Sequence, residues 1–344
     1  MKPSTIVFCL LFLTFATFSF SCSNRDNLPN TQLGNWVRAA AIGDAPRGNA
    51  SCFVIGDTAY VGLGYNELAG GLRRLTDFWS FTVAKGWTQL PDFPGAARSN
   101  ATAFSIGNYG YVGVGYDAVN VYKDFYRYDP AFHAWSRKAD FHDPRYDAVG
   151  FGLQGKGYIG TGYNVYSRND FYQYDTAADT WTLVAGTSGD FSKRRGAVAL
   201  VYNDKAYIVT GSNNNVMVRD MWSFDPSQAV PWHQLADITN TDPASWDDGY
   251  TDIARDQATA FVNGDQAFVT TGSNGTLQTS TWAYDFASDR WSRRTAYPTA
   301  PRTGAVSFTV SGLSFLGSGF SGSNSTFDDF EQFQPKAPFN SNDY

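Results

Sequence analysis

A chain of 344 residues, 43% hydrophobic and 17% aromatic, carries ample material for one large core. Its 26 basic residues fall short of 32 acidic ones, for a net charge of −6 with no lysine–arginine run. That excludes the basic footprint a nucleic-acid partner requires. Only Glu67 and Glu331 are glutamates; the other acids are aspartates, and with 33 glycines they favour turns and caps over helices.

The chain opens on a targeting segment. Lys2 gives a positive start, and Ile6 to Phe20 is an apolar run too short and too early for a spanning helix. It ends at Ser19-Phe20-Ser21-Cys22, where a small residue before cysteine resembles the lipobox of bacterial lipoproteins. The resemblance implies a signal peptide over residues 1–21, lipidation at Cys22, and export to the cell envelope, anchored to the outer membrane on its periplasmic or surface side. Ser19 departs from the aliphatic residue usual at that place, and an ordinary leader with an incidental cysteine is the alternative. Residues 22–32 read as a polar tether. Cys9 leaves with the leader and Cys22 carries lipid, so Cys52 is the one remaining thiol and no intramolecular disulfide can form. Beside Phe53 in an apolar stretch, Cys52 reads as packed core.

Residues 33–336 contain one frame six times, followed by a tail over 337–344. An arginine (Arg47, Arg98, Arg145, Arg194, Arg255, Arg302) is followed at +3 by alanine, at +6 by a large apolar residue, at +13 by an aromatic and at +17 by glycine (Gly64, Gly115, Gly162, Gly211, Gly272, Gly319). A repeat near 50 residues signals a propeller or solenoid. Each frame reads as two strands with period-two alternation, joined by hairpin pairs such as Gly56-Asp57, Gly107-Asn108 and Asn203-Asp204. A third strand opens on Asp-Phe-Trp/Tyr, at Asp77, Asp124 and Asp170, with variants at Asp220 and Asp329 and an outlier at Ser280. A fourth strand carries one tryptophan: Trp87, Trp135, Trp181, Trp232 or Trp291.

Four antiparallel strands per unit make a blade. Small first-strand residues suit the crowded axis, and the tryptophan suits the wide outer edge. Only five tryptophans follow third strands, and the sixth unit stops near Phe333-Gln334-Pro335. Trp36 lies 11 residues before Arg47, as Trp87 does before Arg98. The N-terminal strand is therefore expected to complete the last blade and close an all-β, six-bladed ring.

The strand-two glycine, the aromatic before it and the strand-four tryptophan resemble the Kelch-repeat family across residues 33 to about 335. The family's glycine doublet is replaced here by pairs such as Gly64-Tyr65 and Gly115-Tyr116. Similar six-bladed domains occur in galactose oxidase, in bacterial N-acetylneuraminate epimerase and in Kelch-type ubiquitin-ligase adaptors. These share a scaffold and not a chemistry.

In propellers of this kind, the loops between strands two and three and those between blades surround the central mouth. The first of these, Gly64 to Asp77, spans 13 residues and holds Tyr65, Glu67, Arg73 and Arg74; the linker from Trp232 to Arg255 spans 23 and holds Trp246, Asp247 and Asp252. Aromatics beside carboxylates suit a sugar face, and equally they pin a long loop. Tyr116, Asp117, Tyr163, Asn164 and Asn213 complete a polar mouth suited to polyols or protein loops. The six frame arginines could grip a carboxylate, although a role repeated six times suits bracing better.

Copper-radical chemistry is excluded: the three histidines sit at unrelated repeat positions and do not converge. No zinc, nucleotide or metalloprotease motif appears, so no metal or cofactor is expected. The leading expectation is a monomeric binding or scaffolding module for a glycan or protein. The alternative is a sialic-acid-type epimerase or mutarotase, for which the candidate glutamate at the mouth is Glu67.

Overall fold

Six four-stranded antiparallel sheets follow one another along the chain, and their first strands, rich in Ala, Ser, Thr, Gly and Val, line the central channel. The first blade is Ser51–Ile55, Thr58–Gly62, Phe78–Thr82 and Gly86–Leu90. The next four blades repeat this order from Thr102, Val149, Val198 and Thr259. This computed structural model describes residues 33–43, 45–68, 71–186, 191–239, 250, 252–322 and 325–344. The leader, Cys22, the tether, Trp246 and Asp247 lie outside the described residues.

The sixth blade takes its outer strand from the N-terminus. Leu33–Ala39 pairs antiparallel with Phe330–Pro338, Trp36 opposite Phe333 and Ala39 opposite Phe330. The C-terminal strand runs to Pro338, past the Pro335 at which the repeat pattern fades, because Leu33 continues the ladder opposite Pro338 beyond a register shift between Leu33 and Asn35. The tail folds back on the same strand: Asn35 Nδ2 donates to Asp343 Oδ2 at 2.7 Å, and Asn340 N donates to Asn35 Oδ1 at 2.9 Å. Trp36 is fully buried, edge-on to Tyr297 at 5.1 Å and against Phe333 at 4.5 Å, with Nε1 donating to Thr295 O.

Outer-strand tryptophans of other blades pack across blade interfaces. Trp87 meets Phe308 and Phe330 of the sixth blade, Trp135 meets Phe78, and Trp181 meets Phe125. The hairpins turn through the left-handed region at Gly56 and Gly107, and at both residues of the Asn203-Asp204 pair, with φ of 46° and 56°. Cys52 is held in the first strand with its thiol pushed up to about 12 by burial.

Candidate functional site

The frame arginines brace the wall. All six are fully buried. In each blade Nη1 donates to the carbonyl of the residue at +16: Leu63, Val114, Thr161, Thr210, Thr271 or Ser318. Those residues sit at φ of 53° to 64°, a strained turn that the guanidinium holds in place. The following glycine also needs positive φ: at Gly64 an added Cβ would lie 2.6 Å from the Gly48 carbonyl.

The same guanidinium grips the aspartate opening the third strand. Arg47 pairs with Asp77 at 2.5 Å, Arg145 with Asp170 at 2.6 Å and Arg302 with Asp329 at 2.6 Å; Arg98 pairs with Asp124, and Arg194 with Asp220. Ser280 breaks this pattern, and the chain compensates. Arg255 donates to Ser280 Oγ at 2.7 Å and to the Asp252 carbonyl, while Asp252 Oδ1 accepts the Trp282 indole at 2.6 Å, as Asp77 accepts Trp79. Asp252 therefore pins its linker to the rim. Tyr250 helps, its hydroxyl accepting from Trp291 N at 3.0 Å.

Two closed belts of backbone hydrogen bonds circle the axis. In the outer belt, each frame glycine donates to the next blade's arginine carbonyl, from Gly64 to Arg98 and on around to Gly319 and Arg47, at 2.7–2.9 Å. In the inner belt, the +2 residues Asn49, Asn100, Asp147, Gly196, Gln257 and Gly304 each donate to the one before, at 2.8–3.3 Å. All six adopt φ between 48° and 60°. They ring a neck of about 160 Å³ at the base of the mouth.

Here the six-fold regularity ends. Asn100 Nδ2 donates to Asp147 Oδ1, and Gln257 Nε2 reaches the same oxygen at 3.5 Å. Asp147 keeps partial exposure, yet the neck crowds it enough that desolvation, with the nearby charge of Asp256, pushes its carboxyl up to about 6 against the hydrogen bonds and Arg195. Burial also raises Asp256, opposed by a 2.6 Å bond from Ser212 Oγ and by Arg195.

The walls above the neck come from the +1 and +18 positions, which pair as isolated bridges: Gly48 with Tyr65, Ser99 with Tyr116, Tyr146 with Tyr163, Arg195 with Ser212, Asp256 with Ser273 and Thr303 with Phe320. One side is an aromatic arc. Tyr65 lies 5.4 Å from Phe320, Tyr116 stacks on Tyr146 at 4.4 Å, and Tyr146 meets Tyr163 at 5.6 Å. The other side is polar and charged. Between them, the Arg195 guanidinium lies over Tyr163 at 5.3 Å. It makes no ion pair or side-chain hydrogen bond with any described residue, while biasing both carboxylates.

Tyr65, Tyr116 and Tyr163 thus meet in the arc. Glu67 is on the first-blade hairpin Tyr65–Leu68/Gly71–Arg74, opposite Leu72. Asp117 orders its own loop, accepting from Val119 N, Asn120 N and the Tyr122 hydroxyl, and these bonds hold it well below the usual carboxylate range. Asn164 donates to Pro144 O at 2.9 Å, and Asn213 sits in the hairpin Ser212–Asn213/Val216–Met217. Asp147, Arg195 and Asp256 escape a reading that follows what recurs. Their signal is the reverse: +1 and +2 vary most between the constant arginine and alanine. No group of three metal-ligating side chains occurs among the described residues.

Six closed blades define a β-propeller, and the buried arginine frame defines its repeat. The chain belongs to the Kelch-repeat family: residues 140–319 match the KLHDC2/KLHL20/DRC7 Kelch-repeats domain. It is 24% identical over 181 residues to the leucine-zipper-like transcriptional regulator 1 homolog of Drosophila melanogaster, a match covering 48% of this chain and 19% of that protein. It is 33% identical over 135 residues to N-acetylneuraminate epimerase of Pasteurella multocida (36% of this chain, 33% of that one). Against the Haemophilus influenzae PittEE enzyme of the same name it is 27% identical over 234 residues (66% and 53%). The chain thus spans well under two thirds of these relatives. The solved structure of YjhT shares the fold, with a TM-score of 0.68 at 17% identity, over 83% of this chain and 94% of that one.

Proposed function

We propose that the mouth binds an acidic sugar and interconverts its anomers or epimers, the alternative set beside scaffolding in the sequence. The observation that carries this reading is Arg195, a guanidinium with no ion pair among the described residues, stacked on Tyr163 and flanked by two carboxyls whose affinity for protons is raised. Similarity to proteins named N-acetylneuraminate epimerase supports the same class.

Arg195 supplies a planar donor pair for the sugar carboxylate. The aromatic arc supplies apolar faces for the ring. Anomer exchange needs one group to take the proton of the anomeric hydroxyl and another to protonate the ring oxygen, so that the ring C–O bond breaks and can re-form on the other face. With its carboxyl pushed up to about 6 by desolvation and by the charge of Asp256, Asp147 carries a proton in the weakly acidic range and can donate it while Asp256 accepts. Donor and acceptor then exchange roles on closure, and no net proton is consumed.

The test is two-dimensional exchange NMR on N-acetylneuraminic acid and on glucose. Anomer cross-peaks strengthened by the protein for the acid and not for glucose support the reading. Cross-peaks equal to those in buffer for both contradict it and return the mouth to a purely binding role. Export and lipidation are proposals from the leader alone, tested by whether Cys22→Ala abolishes radiolabelled palmitate incorporation.

A further inference from the structure

A second cation faces the same mouth. Arg74 closes the first-blade hairpin that makes this strand-two-to-three loop the longest of the six, and it pairs in register with Tyr65. Its guanidinium sits between two rings of the arc, 5.1 Å from Tyr65 in its own blade and 5.2 Å from Tyr116 in the next. Nε and Nη1 are closed to solvent and meet no acceptor. No described carboxylate lies within ion-pair distance of it, whereas every frame arginine is bonded to an aspartate or, for Arg255, to Ser280 and Asp252. Buried unbonded donors also occur in the scaffold, at Arg145 and Arg168 Nε, but those guanidinium groups are paired with aspartates, whereas two of Arg74's donors and its charge have no partner among the described residues. Two aromatic faces hold the cation in place without neutralising it.

We propose that Arg74 is a second anion anchor, so that the preferred ligand is an acidic oligosaccharide with a carboxylate on each of two neighbouring sugars. This rests on the acidic-sugar reading above. The reducing-end unit lies against Arg195, Asp147 and Asp256, and the carboxylate of the next unit lies on Arg74. A neutral second sugar would gain ring contact from the arc but nothing from the cation.

Calorimetric titration decides it, using galacturonic acid, its dimer, and a disaccharide of reducing-end galacturonic acid bearing a neutral galactose. The acidic dimer is expected to bind about tenfold more tightly than either of the others, an advantage Arg74→Gln reduces to about twofold or less. Arg74→Lys should retain part of it, since the charge stays while the planar fork is lost. The wild-type comparison stands even if a variant folds poorly. Equal affinity for the acidic dimer and the neutral-capped disaccharide overturns the proposal, as does an advantage that survives Arg74→Gln in a folded variant. Absence of anomer exchange with the dimer preference intact overturns catalysis and leaves Arg74 in its role.

Discussion

Gln257 of the fifth blade hydrogen-bonds Asp147 of the third, reaching over Gly196 in the blade between at 3.5 Å. The bridge exists because Gly196 has no side chain. A Cβ there would lie 2.9 Å from Asp256 Oδ1 and 3.1 Å from Gln257 N, at a φ of 60° that L-residues adopt with strain. Gly196→Ala is expected to cost about 1–2 kcal/mol in urea unfolding and to slow anomer exchange by displacing both carboxyls. A variant unchanged in both respects would show that the neck is not a coupled unit.

Arg194 and Arg195 are neighbours with opposite fates. Arg194 is fully buried on Asp220, and Arg194→Met leaves that carboxylate with a lost partner, a change expected to cost about 3–5 kcal/mol. Arg195→Gln should shift stability by no more than about 0.5 kcal/mol while weakening acidic-sugar binding by about ten- to a hundredfold. Paired thermal melts and titrations check this; a large melting loss at Arg195 would place it in the scaffold.

The Asp147 carboxyl, pushed up to about 6, makes a signed pH prediction. An unfolded aspartate titrates near 4. The folded state therefore binds the extra proton between about pH 4 and 6, and this group's stabilising contribution, full below that window, is lost as pH rises through it. Asp147→Asn should be more stable than wild type at pH 8, by on the order of 1–2 kcal/mol because the group keeps some solvent contact. The difference should vanish near pH 3.5. An asparagine variant less stable at pH 8 than at pH 3.5, relative to wild type, would refute the assignment.

Trp36 fastens the ring. Trp36→Ala should cost about 3–5 kcal/mol and, because the strand carrying it completes the sixth blade, should speed proteolysis at the termini before that of the central blades. Uniform proteolysis across the chain would argue against a closure-first failure.

The architecture was legible because its cause is periodic. Arginine, glycine and third-strand aspartate recur together because one guanidinium straps all three, and the displaced Trp36 revealed the closure. The site was less legible for the complementary reason. The eye that finds the frame discounts what lies inside it, and Arg195, Asp147 and Asp256 lie inside it. Asp252 follows the loop-pinning alternative for its long linker: it replaces the aspartate missing at Ser280. That substitution is visible only once Arg255 and Trp282 are seen to converge on it. Arg74 was noted for its loop, but its seat between Tyr65 and Tyr116 depends on two blades meeting.

The most direct test of the central claim is the anomer-exchange rate of N-acetylneuraminic acid in wild type, Asp147→Asn and Arg195→Gln. Wild type is expected to accelerate exchange above buffer with a pH dependence turning near 6. Asp147→Asn should lose about a hundred- to ten-thousandfold of that acceleration, and Arg195→Gln should lose it chiefly at low sugar concentration. Acceleration that survives both substitutions, or is absent from the wild type, would contradict the account.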